Sequence, residues 1–261
     1  MGVIYEPKGR AREYAELAVN LYEGCVHGCL YCYGPRIKRT TREAFHGTQE
    51  PRQDILDRLH KSATYRRDHG QGGHVLLCFT SDPYQPDLNQ AGAHRQIASR
   101  DPTTRTAIEI LHRTGHTVNI LTKGGPRSLW DFDLLTAADE YGATLTFVDL
   151  EQSFKWEPRA AAPGARIACL KAAHTAGIRT WVSLEPIIDL QATLDLIDLT
   201  HNFVDRYMVG KLNYHPLAAQ IDWHKVACEV SDHMEKVGAT YNLKADLAGL
   251  VNVRAAPKVR R

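Results

Sequence analysis

The stretch Leu17-Ala-Val-Asn-Leu-Tyr-Glu-Gly-Cys25-Val-His-Gly-Cys29-Leu-Tyr-Cys32-Tyr33 joins a short aliphatic run to a loop with three cysteines inside eight positions. Thiols this close in sequence point to metal ligation. In a glycine-containing loop, a C-x3-C-x2-C spacing can wrap one face of a cubane iron–sulfur cluster and ligate three of its irons. The fourth iron then lacks a protein ligand, and an open coordination position is where chemistry happens at a metal. Gly24 and Gly28 let the backbone turn tightly around the sulfides. Zinc is the rival metal, but it wants a fourth nearby ligand and only His27 is available. Lying between two cysteines, the His27 ring is expected at the surface or packed behind the loop rather than on the same ion. A disulfide inside the loop would leave an odd thiol.

Outward from this stretch, short aliphatic runs alternate with helix-length segments. Strands are expected at Leu17–Leu21, His74–Phe79, Thr117–Thr122, Thr144–Val148, Thr180–Leu184 and Tyr207–Val209. Helices are expected at Arg52–Arg67, Pro102–Thr114, Leu129–Tyr141, Arg166–Ala176, Ala192–His201 and Gln220–Val237. Gly115, Gly142, Gly177 and Gly238 stand where left-handed C-terminal caps belong, and Asp101 before Pro102 reads as an N-cap. Strands alternating with helices imply parallel βαβ units with right-handed crossovers. The expected fold class is therefore α/β: a partial (βα)6 TIM-like barrel with a parallel sheet, in a single domain. Its core runs from about residue 15 to 238, with 239–261 as a C-terminal extension.

The turns after the strands hold the unusual residues. The cysteines follow the first, Ser81-Asp82-Pro83 the second, Lys123-Gly124-Gly125 the third, and Asp149 the fourth. Glu185-Pro186 and Gly210-Lys211-Leu212-Asn213 follow the fifth and sixth. Polar chemistry gathered at strand C-termini is how a βα barrel builds an active site.

Composition is that of a globular protein, 43% hydrophobic and 24% charged, with a net charge of +2 from 32 basic and 30 acidic residues. No apolar run is long enough to span a bilayer, and the opening MGVIYEPKGRAREY lacks the apolar core of a secretory signal. A cytoplasmic protein with no membrane partner is expected. Basic stretches at Arg36, Lys38, Arg39 and Arg42 and at Arg254, Lys258, Arg260 and Arg261 can track phosphates or simply be solvated. Cys78, Cys169 and Cys228 are widely spaced and read as buried structural thiols.

The cysteine spacing, with an aromatic before the last cysteine, resembles the signature of radical S-adenosylmethionine (SAM) enzymes. Asn20–Tyr33, Thr80-Ser-Asp-Pro-Tyr-Gln-Pro86, Leu121-Thr-Lys-Gly124, Gly177-Ile-Arg-Thr, Ser183-Leu-Glu-Pro-Ile-Ile188 and Gly210-Lys-Leu-Asn213 look like the spore photoproduct lyase-related, SplB-like ("DNA repair photolyase") branch. The resemblance implies a [4Fe-4S] cluster on Cys25, Cys29 and Cys32, and SAM chelating the open iron. One electron from a flavodoxin- or ferredoxin-like donor then splits SAM into methionine and a 5′-deoxyadenosyl radical. The cofactors supply the hard chemistry, and the protein orients and shields them.

For SAM contacts, the resemblance puts Tyr31 against the adenine, although a plain core aromatic fits that position as well. Ser81 and Asp82 are placed to accept from the ammonium, unless they merely form an Asp-Pro turn. Lys123 is placed for the SAM carboxylate or a substrate phosphate. Asp149 and Ser183 are expected on ribose hydroxyls or the carboxylate, and Glu185 in the same role or orienting Lys123. No residue is assigned a catalytic role. In spore photoproduct lyase a hydrogen-donor cysteine directly precedes a Thr-Ser-Asp word. Here that place holds Phe79, with Cys78 expected on the opposite face by strand alternation. This departure speaks against thymine-dimer repair by the parent mechanism.

Three functions follow. The first is radical chemistry on a nucleic-acid base, a pyrimidine lesion or modified thymine, with DNA as the partner. The others are radical chemistry on a peptide or small molecule, and a non-enzymatic iron–sulfur or zinc module.

Overall fold

The computed structural model describes residues 2–87 and 102–251; the expected N-cap Asp101 and the basic tail Arg254–Arg261 lie outside the described residues. The strands are β1 (Leu17–Val19), β2 (His74–Leu77), β3 (Thr117–Thr122), β4 (Glu140–Thr144), β5 (Arg179–Ile187), β6 (Arg206–Lys211) and β7 (Tyr241–Leu243). They pair in sequence order, every neighbour parallel, with β1 and β7 at the two edges. Parallel neighbours require crossovers, and helices supply most of them. These are α1 (Gly34–Lys38), α2 (Arg42–His46), α3 (Ile55–Asp68), α4 (Pro102–Arg113), α5 (Leu150–Trp156), α6 (Pro163–Thr175), α7 (Leu190–Thr200) and α8 (Trp223–Val237), with α9 (Ala245–Val251) after the last strand. The result is an α/β half-barrel of TIM type. It carries one strand more than expected, because the segment past residue 238 extends the sheet as β7 instead of trailing from it.

Strand alternation divides the buried side chains between two faces. Val75 and Leu77 of β2, Ile120 of β3 and Val182 of β5 pack with Ile108, Leu170 and Leu196 from the helices in the main core. Ala18, Leu76, Trp181 and Met208 point the other way and form a smaller cluster on the concave face, with Tyr14, Phe79 and Leu121 against it. Gly115, Gly177 and Gly238 end their helices at φ of 76°, 76° and 70°, the left-handed caps expected of them.

Around the fourth strand the expectation is corrected. Leu129–Tyr141 is not an α-helix: residues Gly125–Leu134 wind as a 3-10 helix opened by Pro126, and the strand runs over Glu140–Thr144 rather than Thr144–Val148. Asp139 fixes the break. Its carboxylate accepts from the Thr136 and Val118 amides at 2.8 Å each and from His112 at 3.0 Å, so the chain turns there into the sheet. Gly142 is accordingly a strand residue and not a cap. A Cβ on it would fall 2.3 Å from the Trp181 ring, which crosses the strand at that point. Among the described residues no helix is long and apolar enough to cross a membrane.

Candidate functional site

The cysteine loop begins where β1 ends and is held from two sides. The Cys25 amide donates to Phe45 O at 3.1 Å, and His46 Nδ1 bonds Cys25 O at 2.7 Å, tying the loop to α2. On the other side lies the connector between α5 and α6. Leu30 N donates to Trp156 O at 2.8 Å, Arg159 N to His27 O at 3.1 Å, and the Arg159 guanidinium to Val26 O and His46 O. Gly24 (φ 66°) and Gly28 (φ 71°) take left-handed turns, and a Cβ on Gly24 would meet Phe45 O at 2.3 Å. Fixed in this way, Cys25, Cys29 and Cys32 all open onto one cavity, and all three thiols are free.

Beyond β2, Asp82 organises the next wall. Its Oδ1 accepts from Tyr84 N at 2.8 Å and Thr122 Oγ1 at 2.6 Å, and its Oδ2 from Lys123 N at 2.7 Å. His27, 1% exposed, completes the set with Nδ1 at 3.5 Å from Oδ2. Arg127 Nη2 lies 3.2 Å from His27 Nε2. A guanidinium can only donate, so Nε2 is the acceptor and Nδ1 carries the proton toward Asp82. Burial, with Arg127 and Lys123 nearby, lowers the His27 pKa to about 3, so the ring is neutral at ordinary pH. Burial opposes the Asp82 charge, but His27 and the three donors outweigh it and hold the carboxyl below its usual range. His27 therefore packs behind the cysteine loop, not at the surface. Asn20 fixes the start of the same turn, its Oδ1 accepting from Phe79 N at 2.8 Å and Thr80 N at 2.9 Å.

At the far end of the cavity, Ser183 Oγ and Tyr14 Oη are 3.0 Å apart, and the Tyr14 hydroxyl also bonds Glu185. Glu185 receives the buried Lys244 ammonium at 3.0 Å. Its cationic partner is thus Lys244 and not Lys123. Gly210 makes room for this carboxylate, since a Cβ there would sit 2.6 Å from Glu185 Cδ.

Of the SAM-binding candidates, Tyr31, Ser81, Asp82, Lys123, Ser183 and Glu185 line the cavity with the three cysteines. Tyr31 bonds Glu157 through its hydroxyl, and Lys123 Nζ stands 5.6 Å from its ring centroid. Asp149 is not brought to this wall. It lies five residues past the end of β4 and caps α5, accepting from Gln152 N at 2.8 Å. Cys78 packs in the main core with Leu77, its Sγ accepting from Leu21 N at 3.5 Å, yet it also reaches the cavity wall beside Phe79. The two are neighbours on that wall, where alternation alone would separate them. Asn20, Tyr14, Lys244 and the pair Glu157–Arg166 join the site without a role expected from sequence.

The cavity offers about 170 Å³ to water-sized groups, within about 980 Å³ of empty space once its open mouth is counted. Among the described residues no three His, Cys, Asp or Glu side chains converge as ligands for one metal ion. Burial pushes the Cys29 thiol up to about 12, against the lowering pull of Lys123, and raises Cys25 and Cys32 as well. A metal's positive charge is what converts such thiols to thiolates. Thr80 Oγ1 and Ser81 Oγ are buried on the same wall without a hydrogen-bond partner, so hydroxyls stand ready for a bound polar group.

No family model matches the chain. It is 29% identical over 181 residues to an uncharacterized protein of Acidianus two-tailed virus, covering 65% of this chain and 55% of that protein. It is 25% identical over 199 residues to an uncharacterized protein of Methanocaldococcus jannaschii, covering 76% and 66%. The chain thus spans 55–66% of the length of these curated relatives. Among solved structures, a spore photoproduct lyase mutant with dinucleoside spore photoproduct superposes with a TM-score of 0.66 at 15% identity, over 92% of this chain and 79% of that one. Streptococcus suis SuiB bound to S-adenosylmethionine superposes with a TM-score of 0.63 at 11% identity, over 94% and 51%. The chain shares its half-barrel fold with each of these two proteins.

Proposed function

We propose that this chain is a radical SAM enzyme acting on a nucleic-acid base, a pyrimidine lesion or a modified thymine. The observation that carries the class is the opening of three free thiols from one loop into a cavity that also presents the unpartnered Thr80 and Ser81 hydroxyls. Cys25, Cys29 and Cys32 hold three irons of a [4Fe-4S] cluster. With SAM on the fourth iron and one electron from a flavodoxin- or ferredoxin-like donor, such a cluster supplies homolysis of SAM to methionine and a 5′-deoxyadenosyl radical.

The protein's own groups bind and orient. Thr80 and Ser81 receive the SAM ammonium on the turn that Asp82 fixes; Asp82 itself is engaged by three hydrogen-bond donors with His27 beside it. Lys123 takes the carboxylate, its ammonium having no ion-pair partner among the described residues. Tyr31 presents its face to the adenine, while Ser183 and Glu185 meet the ribose. Asp149, committed to its helix cap, is left out of this set. The six free thiols support a reducing, cytoplasmic setting.

For the substrate, support comes from the dinucleoside spore photoproduct bound by the similar spore photoproduct lyase, of which this chain covers 79%. The match to SuiB bound to its precursor peptide favours a second reading, a peptide substrate. Isotope transfer separates the two. Reduced enzyme with SAM and a thymine-deuterated oligonucleotide is expected to release deuterated 5′-deoxyadenosine. Unlabelled 5′-deoxyadenosine would overturn the substrate, and none at all would overturn the class.

A further inference from the structure

The loop after β6 leads from the cavity wall straight to its rim. Asn213 lines the cavity, anchored by Arg10 and by its own amide to Lys211 O at 2.9 Å. The next residue, Tyr214, takes a left-handed φ of 60° and is 62% exposed. That conformation is uncommon for an aromatic residue and turns its ring outward beside the mouth. One face of the ring is covered by the Arg36 guanidinium, 4.7 Å from the centroid. Arg36 stands in α1 three positions after Tyr33, the residue that precedes the helix; Tyr33 lines the cavity and is 42% exposed.

The charges carried by α1, its flanks and the loop after β6 are unbalanced. Arg10 pairs with Asp246 at 3.2 Å, and Lys38 and Arg52 pair with Glu23 at 3.9 and 3.0 Å. Arg36, Arg39 and Lys211 have no carboxylate at ion-pair distance among the described residues; Lys211 lies over Trp223 instead. The cavity's carboxylates are already engaged, Asp82 by its donors and Glu185 by Lys244. Such a mouth favours an anion with flat faces. Nucleic acid supplies both: every base has a π-face that stacks on an aromatic ring, and every linkage carries a negative charge.

We propose that Tyr214, backed by Arg36, is a stacking platform for an unpaired nucleobase at the cavity mouth, with Arg39 and Lys211 taking the flanking phosphates. A base stacked there is in single-stranded or locally opened nucleic acid, because a base within a duplex has both faces covered by its neighbours. The assignment rests on the nucleic-acid reading of the proposed function.

Binding of a short fluorescein-labelled single-stranded DNA to the full chain, followed by anisotropy, tests it without any turnover. Tyr214→Ala is expected to weaken binding by about 5- to 100-fold and Tyr214→Phe by less than about threefold. Tyr214→Gly, which relaxes the left-handed backbone, is expected to match the alanine variant with the melting temperature kept. Arg39→Ala and Lys211→Ala should each reduce the slope of log affinity against log salt by about 0.7. Unchanged affinity in Tyr214→Ala and Tyr214→Gly, with wild-type binding intact, overturns the platform alone. Blunt duplex binding as tightly as single strand overturns the unpaired base. Equal binding of an acidic peptide shows a polyanion surface only and overturns the assignment. No binding by the wild-type chain overturns the nucleic-acid reading along with it.

Discussion

Alanine at Cys29 is expected to strip the anaerobically reconstituted protein of most of its iron and to reduce 5′-deoxyadenosine formation to background. Three ligands leave no redundancy for a cluster of about four irons. Cys29 is also the most enclosed of the three, 6% exposed and followed at once by the Leu30–Trp156 backbone bond. Its loss leaves one iron without a thiolate, and His27, engaged between Asp82 and Arg127, is not free to substitute. Removing one buried sulfur should leave the apoprotein folded, so its melting temperature serves as the control. Iron and sulfide assays on the reconstituted variant check the expectation. Wild-type iron content in Cys29→Ala would contradict it.

Glu157→Ala is expected to lower the unfolding free energy by about 3–5 kcal/mol. Glu157 and Arg166 are each 1% exposed, and their ion pair is joined by the Tyr31 hydroxyl and Ser153. Arg166 additionally donates to Ala161 O at 2.7 Å and Thr144 O at 2.8 Å, so the pair ties α6 to the end of β4 and to the connector that clasps the cysteine loop. Removing the carboxylate buries an uncompensated guanidinium, whereas replacing both partners with apolar residues of similar volume should recover much of the loss. Burial works against the Glu157 charge, but Arg166 and Lys123 win and hold its pKa below the usual value. With a depressed folded pKa, this stabilisation is complete above the unfolded value near 4.3 and fades as pH falls below it. Urea unfolding at pH 7 and pH 4 checks both the size and the direction. A variant within about 1 kcal/mol of wild type would contradict the account.

These two sites differ in how far the sequence announced them. Cys25, Cys29 and Cys32 are local, and metal spacing is a short-range signal. The β-branched and aliphatic runs of β2, β3, β5 and β6 were readable for a similar reason, since strands buried on both faces are nearly continuous in hydrophobicity. The fourth repeat failed because Leu129–Tyr141 has helical composition while Pro126 and Asp139 impose a 3-10 turn and a break. Gly142 looked like a cap, yet it serves a contact with Trp181, 39 positions later. Asp149 belongs to the same stretch: five residues beyond the strand, it starts α5.

Long-range pairs were invisible for the same physical reason. Lys244 meets Glu185 across 59 positions, and Tyr14 meets Ser183 across 169. No local pattern marks a side chain whose partner arrives only when the half-barrel closes around it. Lys244 was further disguised by lying in a segment expected to extend beyond the core, where the sheet in fact adds β7. Tyr31, Ser81 and Lys123 were legible because they sit within a few residues of strand ends, which the α/β topology gathers to one rim.

The central claim is an iron left without a protein ligand in the cavity that the three cysteines share. Electron paramagnetic resonance of the anaerobically reconstituted, reduced wild-type chain, recorded with and without SAM, addresses it most directly. About four irons and four sulfides per chain are expected, with a reduced cubane signal that changes when SAM is added. Stoichiometric zinc, or a cubane spectrum that SAM leaves untouched, would contradict it.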